Sequence, residues 1–305
     1  MYYFIVNPTS GSGSGGIIWK SLESELKSKH IEYEAHLLTK PGEAKEVAAR
    51  LSQLEDPRTI VVVGGDGSMN EVVSVLTTFR NITLGCIPTG SGNDFIRGLG
   101  LERSAVDALH QILNPLETVE LDIGTLETAD FTTSFCVSSG VGFDAAVCDS
   151  VQGSSLKTML NRFHAGKLVY LITALWQLLT MKLQPITITD GNGTVHHYEK
   201  AYFAAFMNLP YEGGGFQFAP EASAADGQLD VLVVDNITRL RALTILPSAL
   251  SGKHVGKKGI HMFRSDKLEI HTQEPLCVHT DGEVLGYYTD IKVSYRNEKL
   301  TVITG

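Results

Sequence analysis

A buried strand that runs directly into a glycine-rich turn is the feature that most constrains the fold of this chain. Residues 59–64 read Thr-Ile-Val-Val-Val-Gly, and Gly65, Asp66 and Gly67 follow before the apolar stripe of a helix begins. This order is typical of a parallel α/β sheet, in which ligands bind beyond the carboxyl ends of the strands. Glycine N–H groups can approach an anion closely, but the Asp66 carboxylate would repel it unless a cation lay between them. The turn therefore predicts a site for phosphate together with a divalent metal.

The composition describes an ordinary globular chain and excludes one class of partner. The chain has 305 residues, of which 43% are hydrophobic and 19% charged, and this length predicts two domains. The net charge of −9 argues against nucleic acid as a partner, because binding to phosphate backbones needs clustered Lys and Arg. The four cysteines show neither a CxxC pair nor metal-ligand spacing. Reduced, mostly buried thiols in a cytosolic protein are expected.

The N-terminus and the longest apolar segment predict a protein that does not span a membrane. Residues 1–6 form a short strand before Asn-Pro, without the basic region and long apolar core of a signal peptide. The apolar stretch at residues 168–181 is shorter than the ~20 residues that a helical span needs. We therefore expect a cytoplasmic protein that makes at most transient, peripheral contact with a membrane surface.

Strands and helices alternate along the first 120 residues. Strands are predicted over residues 2–7, 33–39, 59–64 and 82–87, and helices over residues 17–29, 43–54, 70–78 and 104–113. This alternation predicts a parallel sheet with right-handed crossovers. Residues 1–120 are therefore interpreted as one α/β domain.

Beyond residue 120, strand-like runs follow one another with turn signals such as Asp-Gly between them. Strands are predicted over residues 201–207, 229–234, 267–271, 291–295 and 300–303, with helices over 156–182 and 239–250. Residues 121–305 are therefore predicted to form a mostly antiparallel β-sandwich, with a ligand cleft between the two domains. Exposed edges of such sheets would permit a homodimer.

The first glycine cluster, at residues 7–16, has three interpretations. Gly11, Gly13 and Gly16 satisfy the GxGxxG pattern of a dinucleotide fold, and Glu34 lies at a suitable distance for a ribose contact. A dinucleotide turn follows its strand directly, however, whereas several residues separate Gly11 from the strand. A loop that donates N–H and O–H groups to nucleotide phosphates is the second interpretation, and a mobile surface loop is the third.

Two further glycine clusters follow strands of the same predicted sheet. The cluster at residues 64–67 lacks the Lys-Ser/Thr of a Walker A loop, and residues 88–94, Pro-Thr-Gly-Ser-Gly-Asn-Asp, follow the next strand. Either cluster alone could be a plain turn. Three such loops along one sheet edge are predicted to hold one polyphosphate together.

These segments resemble the nucleotide-binding motifs of the diacylglycerol kinase catalytic domain, most closely those of the soluble bacterial diacylglycerol and lipid kinases. The motifs are Asn-Pro-Thr-Ser-Gly at residues 7–11, Gly-Gly-Asp-Gly-Ser-Met-Asn-Glu at 64–71 and Pro-Thr-Gly-Ser-Gly-Asn-Asp at 88–94. The similarity continues through residues 121–124, 139–144, 225–227, 252–254 and 281–283. The GGDG motif alone is less specific, because NAD kinases share it.

The resemblance implies that the first domain binds ATP with Mg²⁺ and that a lipid enters a cleft against the second domain. It implies nucleotide contacts at Asn7, Pro8, Thr9, Ser10, Gly11, Thr39, Gly64, Gly65, Asp66, Gly67, Ser68, Met69, Asn70 and Ser91. Family members usually carry Thr at positions 68 and 91, where this chain keeps the hydroxyl as Ser. Thr39 precedes Pro41-Gly42, which predicts a hydroxyl that is free to bind.

The resemblance also implies the catalytic and metal-binding residues. Glu283 resembles the general base that takes the proton of an alcohol as phosphoryl transfer proceeds. Asp66 and Asp122 are the best candidates to hold Mg²⁺ and its waters. A second, structural metal site of the family falls at Ser223, Asp226 and Gln228, of which only Asp226 has a charged side chain.

Two other features of the sequence allow more than one interpretation. The predicted helix over residues 156–182 carries an apolar stripe and could pack in the core, line a lipid entrance or rest on a membrane. The stripe consists of Leu168, Leu171, Leu175 and Leu178. The histidines show no convincing ligand spacing and are interpreted as structural, with only His254 left open.

The sequence thus predicts a lipid kinase that moves the γ-phosphoryl group of MgATP to a lipid hydroxyl, with diacylglycerol as the default acceptor. An NAD kinase is the enzymatic alternative, but the Thr/Ser-Pro-x-Gly-Ser-Thr-Ala segment expected of it is missing. A nucleotide- or lipid-binding regulator without catalysis is the other alternative. The acidic residues Asp66, Asp122 and Glu283 argue against it, because a binding module has no use for a base.

Overall fold

Two β-sheets organise the chain in a computed structural model, which describes residues 1–90, 92–152 and 166–305. The strands are β1 (Tyr2–Val6), β2 (Tyr33–Leu37), β3 (Arg58–Gly64), β4 (Ile82–Pro88), β5 (Thr118–Leu121), β6 (Gly124–Glu127), β7 (Thr132–Phe135), β8 (Ser138–Gly142), β9 (Gln184–Asp190), β10 (Val195–Met207), β11 (Leu229–Asp235), β12 (Ile260–Ser265), β13 (Leu268–Thr280), β14 (Glu283–Tyr295) and β15 (Leu300–Ile303). The helices are α1 (Ser14–Ser28), α2 (Glu43–Ser52), α3 (Asp66–Val73), α4 (Asp94–Gly98), α5 (Ala105–Leu113), α6 (Phe143–Gln152), α7 (Gly166–Thr180) and α8 (Arg239–Ile245).

The first sheet has the strand order β2-β1-β3-β4-β15-β5. Strands β1 to β4 are parallel, and β15 runs parallel to β4 and antiparallel to β5. Apolar side chains of α1 and α5, such as Trp19, Leu22 and Leu109, pack against one face of the sheet. Those of α2 and α3, such as Leu51 and Val72, pack against the other. The predicted parallel α/β domain is therefore confirmed.

The helix after β3 begins earlier than the sequence pattern predicts. The apolar residues predict a start at Asn70, whereas α3 begins at Asp66 with Gly65 preceding its first turn. The difference arises because Gly67 and Ser68 carry no apolar signal and yet form the first turn. The glycine-rich segment is therefore part of a helix N-terminus as well as of a turn.

The last strand of the chain returns to the first sheet. Residues 300–303 are a strand as predicted, but they pair with β4 and β5 and not with the strands of the second half. The physical reason is that Leu300 and Val302 are fully buried in the core of the first sheet, beside Leu84 and Leu121. The proposed boundary near residue 120 thus stays a prediction, with the C-terminal strand crossing it.

The second sheet is antiparallel, with the order β12-β11-β10-β8-β13-β14-β6-β7 and with β9 pairing to β10 and β13. Apolar residues of these strands, among them Ile188, Phe206 and Val278, form a buried core between the two halves of the folded sheet. A further cluster packs β10 and β11 against α6, α7 and α8. The predicted antiparallel β-sandwich is therefore confirmed.

The helices of the second half differ in detail from the predicted ones. The helix predicted over residues 239–250 is α8 as far as Ile245 and a 3₁₀ turn from Leu246 to Ser251, with Pro247 at the change. Pro247 lacks the backbone N–H that an α-helix would use there. Of the helix predicted over residues 156–182, the structure describes the part that forms α7. Residues 153–165 and the side chains of Leu168 and Leu171 lie outside the described part of the chain. None of the helices in the described ranges is long and apolar enough to cross a membrane.

Candidate functional site

Three loops meet at the carboxyl ends of β1, β3 and β4. Asn7 Nδ2 donates to Ser68 Oγ at 3.1 Å, which joins the first loop to the start of α3. Ser10 Oγ lies 2.6 Å from Thr89 Oγ1, which joins the first loop to the third. The loops lie together because adjacent parallel strands end at the same edge of a sheet. The three glycine clusters that the sequence places along one edge are thus in direct contact.

Glycine allows the second and third loops to touch through their backbones. A Cβ atom on Gly90 would lie 2.7 Å from Gly65 Cα, closer than any real side chain could pack. The N–H of Thr89 also donates to the carbonyl of Gly64 at 2.9 Å. In the first loop, Gly11 has a φ of +55°, and a Cβ there would meet the Thr89 carbonyl at 2.1 Å. The spacing between loops is therefore set by residues without side chains.

Asp66 lies half-buried at the first position of α3. Its Oδ1 accepts a hydrogen bond from the backbone N–H of Phe95 at 3.1 Å. Among the described residues, none donates a hydrogen bond to Oδ2, which faces the backbone at Gly92. Asp66 therefore has one carboxylate oxygen oriented by α4 and a second that could coordinate a cation.

Asp94 is a second carboxylate at this edge, and the sequence interpretation gave it no role. It is 6% exposed, its Oδ2 accepts from Gly214 N at 2.6 Å, and its Oδ1 lies 3.3 Å from Arg97 Nη1. Burial raises the pKa of Asp94 to about 6; the Gly214 hydrogen bond opposes this shift and the charge of Asp66 adds to it. The only sequence signal was its position as the last residue of the third motif.

Asp281 connects the two sheets through its carboxylate. Oδ1 accepts from the N–H groups of Val137 and Ser138 at 2.8 and 3.0 Å. Oδ2 accepts from the N–H of Cys136 at 2.9 Å and from Asn70 Nδ2, in α3, at 3.1 Å. Desolvation raises the pKa of Asp281, and these hydrogen bonds lower it. The turn before Glu283 is therefore fixed to the glycine-rich segment of the first sheet.

Glu283 lies beside the glycine-rich turn although the two are far apart in sequence. It is the exposed first residue of β14, and its Oε1 would be 3.6 Å from a Cβ on Gly67. The preceding residues Asp281 and Gly282 have φ values of +48° and +82°, so the chain reverses tightly there. The structure therefore brings the predicted base and the predicted phosphate loop together.

A buried histidine lies under the same turn. His279 Nε2 is 3.2 Å from Asp144 Oδ2 and 3.3 Å from Glu212 Oε1, and His279 Nδ1 accepts from Gly282 N at 3.1 Å. All three side chains are less than one-tenth exposed. The histidines were interpreted as structural, so sequence reasoning missed this cluster. Its only signal was the position of His279 two residues before Asp281.

Asp122 has different surroundings from Asp66. It is 5% exposed, its Oδ1 lies 2.9 Å from Lys299 Nζ, and its Oδ2 accepts from Gly227 N at 2.9 Å. The Lys299 ammonium supplies the positive charge next to this carboxylate. A magnesium role for Asp122 stays a prediction, and it requires Lys299 to move.

The residues of the predicted structural metal site share the turn before β11. Asp226 Oδ1 accepts from the N–H of Gln228 at 3.0 Å, and Gln228 Nε2 donates to the Gly227 carbonyl at 3.0 Å. Ser223 and Asp226 are exposed. One exposed carboxylate, already used in its own turn, is a weak set of ligands, and the metal stays a prediction.

The remaining predicted nucleotide contacts differ in their exposure and in their hydrogen bonds. The hydroxyl of Thr39 was expected to be free, but it donates to Glu43 Oε2 at 3.0 Å, which corrects that expectation. Glu43 is the first residue of α2, and its Oε2 also accepts from the backbone N–H groups of Thr39 and Lys40, so it holds the loop that precedes the helix. Thr9 is exposed and donates to Asn7 Oδ1, and Met69 is buried, so only its backbone could meet a nucleotide. Ser91 lies outside the described residues.

The second domain contains an apolar cavity of about 50 Å³ beneath α7. Phe143, Leu178 and Phe203 are among the residues that line it. The opposite face of α7 exposes Trp176 and Leu179 to solvent, at 58% and 50%.

Comparisons with known proteins agree with this architecture. Residues 1–126 match the model of the diacylglycerol kinase catalytic domain, and residues 136–304 match that of the YegS C-terminal NAD kinase beta sandwich-like domain. The chain is 30% identical to the candidate lipid kinase YtlR of Bacillus subtilis (strain 168), over 93% of this chain and 94% of that one. It is also 30% identical to a diacylglycerol kinase of the same organism, over 92% and 89%.

Solved structures share the fold. A candidate diacylglycerol kinase from Bacillus anthracis str. Sterne superposes with a TM-score of 0.77 at 23% identity, covering 100% of this chain and 95% of that one. An NAD kinase from Archaeoglobus fulgidus, solved in complex with ATP, superposes with a TM-score of 0.54 at 13% identity, covering 99% and 93%.

The fold and the family models define a phosphotransferase with a nucleotide-binding α/β domain and a β-sandwich. The chain belongs to the diacylglycerol kinase and YegS-like lipid kinase family. Membership of this family implies ATP as a substrate and a lipid as the other.

Replacing Gly90 by Ala tests the contact between the second and third loops. The new Cβ would collide with the Gly65 backbone, and such overpacking costs ~1–3 kcal/mol. We expect a lower free energy of unfolding in urea and weaker ATP binding by calorimetry. Gly193→Ala, in a turn of the second domain, is the control. A Cβ there meets no atom within 4 Å, but the φ of +81° makes Ala unfavourable, so this variant should also lose stability and yet leave ATP binding unchanged. Equal ATP affinity of the Gly90 variant and the native chain would contradict the prediction.

The raised pKa of Asp94 predicts a pH dependence of stability. Because the folded pKa of about 6 lies above the ordinary value near 4, the folded chain binds this proton more tightly than the unfolded chain. Ionised Asp94 therefore lowers stability progressively as pH rises from about 4 to 6. The free energy of unfolding of Asp94→Asn, relative to the native chain, should rise by ~1–3 kcal/mol over this window. A pH-independent difference in urea titrations at pH 4, 5, 6 and 7 would contradict the assignment.

Proposed function

We propose that the protein transfers the γ-phosphoryl group of MgATP to the hydroxyl of diacylglycerol, giving phosphatidic acid. The observation that carries the proposal is the position of the Glu283 carboxylate beside Gly67, where the three loops converge. A carboxylate at that place can reach an alcohol that attacks a phosphate held by the loops. Relatives named diacylglycerol kinase support the choice of acceptor.

The converging loops are suited to bind the polyphosphate. The segment at residues 65–68 forms the N-terminus of α3, where unpaired N–H groups favour an anion. Asn7 and Ser10 brace the first loop against the other two, so these donors are held in place before the nucleotide arrives. Donors that are already in place stabilise transferring phosphoryl groups most effectively.

Glu283 would act as the general base. In the transfer, the lipid hydroxyl oxygen forms a bond to the γ-phosphorus as the bond from that phosphorus to the β–γ bridging oxygen breaks. The hydroxyl proton moves to Glu283, and ADP leaves with the bridging oxygen. Glu283 is exposed, so a lipid headgroup can reach it without displacing core residues.

Asp66 is the residue that best fits a magnesium ion in this proposal. Its Oδ2 receives no hydrogen bond from the described residues, and Mg²⁺ is commonly bound by one or two carboxylates, waters and substrate phosphates. When bound, the ion would neutralise charge on the phosphates beside Asp66. Asp122 would share the ion only after Lys299 moves away from it. Asp226, with the carbonyls of Ser223 and Gln228, would hold the separate structural metal.

The exposed apolar face of α7 would give the enzyme access to lipid in a membrane. Trp176 and Leu179 are about half exposed there, and Leu240 of the neighbouring α8 is 73% exposed. The cationic residues Arg239 and Arg241 lie in α8 and are also exposed. Apolar groups beside cationic ones match the interface of an anionic lipid surface.

Replacing Glu283 by Gln tests the proposed reaction. The variant loses the base but keeps the shape of the side chain, so kcat should fall by ~10²–10⁴-fold while ATP binding stays unchanged. The assay would use radiolabelled MgATP with mixed micelles of diacylglycerol, sphingosine-like bases, phosphatidylglycerol or polyprenols, and with NAD in solution. Glu269→Gln, on the exposed side of β13, is the matched control and should retain full activity.

Each outcome of that assay separates the alternatives. Phosphorylation of another lipid would correct the acceptor only, whereas phosphorylation of NAD would favour the NAD kinase alternative. If no acceptor is phosphorylated and Glu283→Gln binds ATP like the native chain, the protein is a non-catalytic regulator.

The membrane contact has its own test. Replacing Trp176 and Leu179 together by Ala removes two apolar side chains whose burial contributes ~1.5–3 kcal/mol each. Binding to vesicles of phosphatidylglycerol and phosphatidylcholine, measured by sedimentation, should weaken at least tenfold. Leu116→Ala, at a residue 90% exposed in the first domain, is the control. Equal binding of both variants would place the contact elsewhere.

A further inference from the structure

The buried cluster of His279, Asp144 and Glu212 has no part in the proposed reaction, yet it lies directly under the turn that carries Glu283. We propose that His279 is a positioning residue for Glu283, which it holds through the N–H of Gly282. The inference rests on the proposed role of Glu283 as the base. It adds the reason why an exposed carboxylate at the start of a strand keeps one orientation.

The hydrogen bonds define how the imidazole acts. Burial lowers the pKa of His279, and the carboxylates of Glu212 and Asp144 raise it by more. The N–H of Gly282 nevertheless donates to His279 Nδ1 at 3.1 Å, and this bond requires a lone pair on Nδ1, which leaves the proton on Nε2. Nε2–H in turn faces Asp144 Oδ2 at 3.2 Å and Glu212 Oε1 at 3.3 Å. One ring nitrogen of His279 and one carboxylate oxygen each of Asp144 and Glu212 lie within 4.8 Å of one another, as the ligands of a metal ion would. However, a ring nitrogen that carries a proton donates a hydrogen bond and cannot bind a metal ion. The protonated Nε2 therefore favours hydrogen bonding to the two carboxylates over metal binding.

The surroundings leave the imidazole one position. His279 is fully buried, and a Cβ on Gly140 would lie 2.6 Å from its Nε2 and 2.0 Å from Asp144 Oδ2. Gly140 therefore makes the room that the histidine and the carboxylate fill. Asp144 is also fixed, because its Oδ1 accepts from the N–H of Ala145 at 2.8 Å.

The cluster is a poor means of stabilising the fold. Burial of charged groups carries a desolvation penalty that a hydrophobic replacement avoids. Glu212 Oε2 is buried without a hydrogen-bond partner among the described residues, which adds to that penalty. Apolar side chains at these three positions would stabilise the fold better than His279, Asp144 and Glu212 do. A role in orienting the turn accounts for the presence of the polar side chains.

The Glu283 turn is held from both sides. Asp281 binds the backbone of residues 136–138 and Asn70 through its carboxylate, and His279 binds Gly282 through the ring. The bond to His279 restricts the φ freedom that glycine has at position 282. Glu283 follows Gly282 directly, so this bond contributes to the direction of its side chain over the Gly67 backbone.

The cluster is also braced on the first sheet. Glu212 opens the segment of residues 212–216, in which the N–H of Gly214 donates to Asp94 Oδ2 at 2.6 Å. Asp94 opens α4, whose Phe95 N–H holds Asp66. His279 is thus connected on one side to the proposed base and on the other to the nucleotide loops.

Two substitutions at one position separate positioning from packing. His279→Asn keeps an acceptor, the side-chain Oδ1, at the distance of Nδ1, whereas His279→Leu fills the space without one. We expect the Leu variant to lose ~10–100-fold in kcat, because a displacement of about 1 Å is enough for such a loss, and to keep the KM for ATP. The Asn variant should stay within about threefold of the native kcat, because the bond to Gly282 is retained.

His196→Leu is the matched control. His196 also pairs with a carboxylate of the second domain, Asp190, at 3.0 Å, but lies on β10 away from the loops. It should keep the native kcat and KM. Equal kcat for the Leu variant at 279 and the native enzyme would overturn the inference, and so would equal losses in the Leu and Asn variants.

A spectroscopic measurement on the native chain is independent of whether the variants fold. The ¹⁵N chemical shifts of His279 should report an unprotonated Nδ1 and a protonated Nε2. A protonated Nδ1 would overturn the inference. If the native enzyme is active, Glu283→Gln is inactive and His279→Leu is fully active, then positioning fails while the proposed function stands. An inactive native enzyme with the predicted tautomer would instead refute the proposed function.

Discussion

The carboxylate of Asp281 is the interaction on which the arrangement of the site depends. It accepts three backbone N–H groups from the second sheet and the amide of Asn70 from α3 of the first. These bonds fix the turn before Glu283 against the glycine-rich segment. Because hydrogen bonds to a carboxylate are stronger than those between neutral groups, they hold the turn of the second sheet in a fixed position against α3.

Titratable side chains, most of them buried, are concentrated where the two sheets meet. Asp66, Asp94, Glu212 and His279 belong to one series of contacts, which runs through the backbone N–H groups of Phe95, Gly214 and Gly282 from the nucleotide loops to the Glu283 turn. Glycine makes this possible, since a side chain at Gly90 or Gly140 would collide with its neighbours. Burial of these polar side chains lowers the stability of the fold but fixes their positions. That exchange is typical of functional sites in enzymes.

Much of the fold could be predicted from the sequence because its signals are local. The β-branched run at residues 60–63 and the alternation of strands and helices predict the parallel sheet, and Asp-Gly turns predict the antiparallel half. The start of α3 was misplaced because Gly67 and Ser68 give no helical signal. The pairing of Leu300–Ile303 with the first sheet was missed because residues beside it in space are distant in the chain.

Local motifs were sufficient to predict the family, the fold class and the three loops, because each motif lies within a few consecutive residues next to one strand. It could not show that Lys299 pairs with Asp122, that Glu43 takes the hydroxyl of Thr39, or that His279 lies under Gly282. Those contacts form only when the whole chain has folded. The physical reason is that hydrogen bonds and ion pairs act over about 3 Å, and only the folded chain brings such distant residues that close.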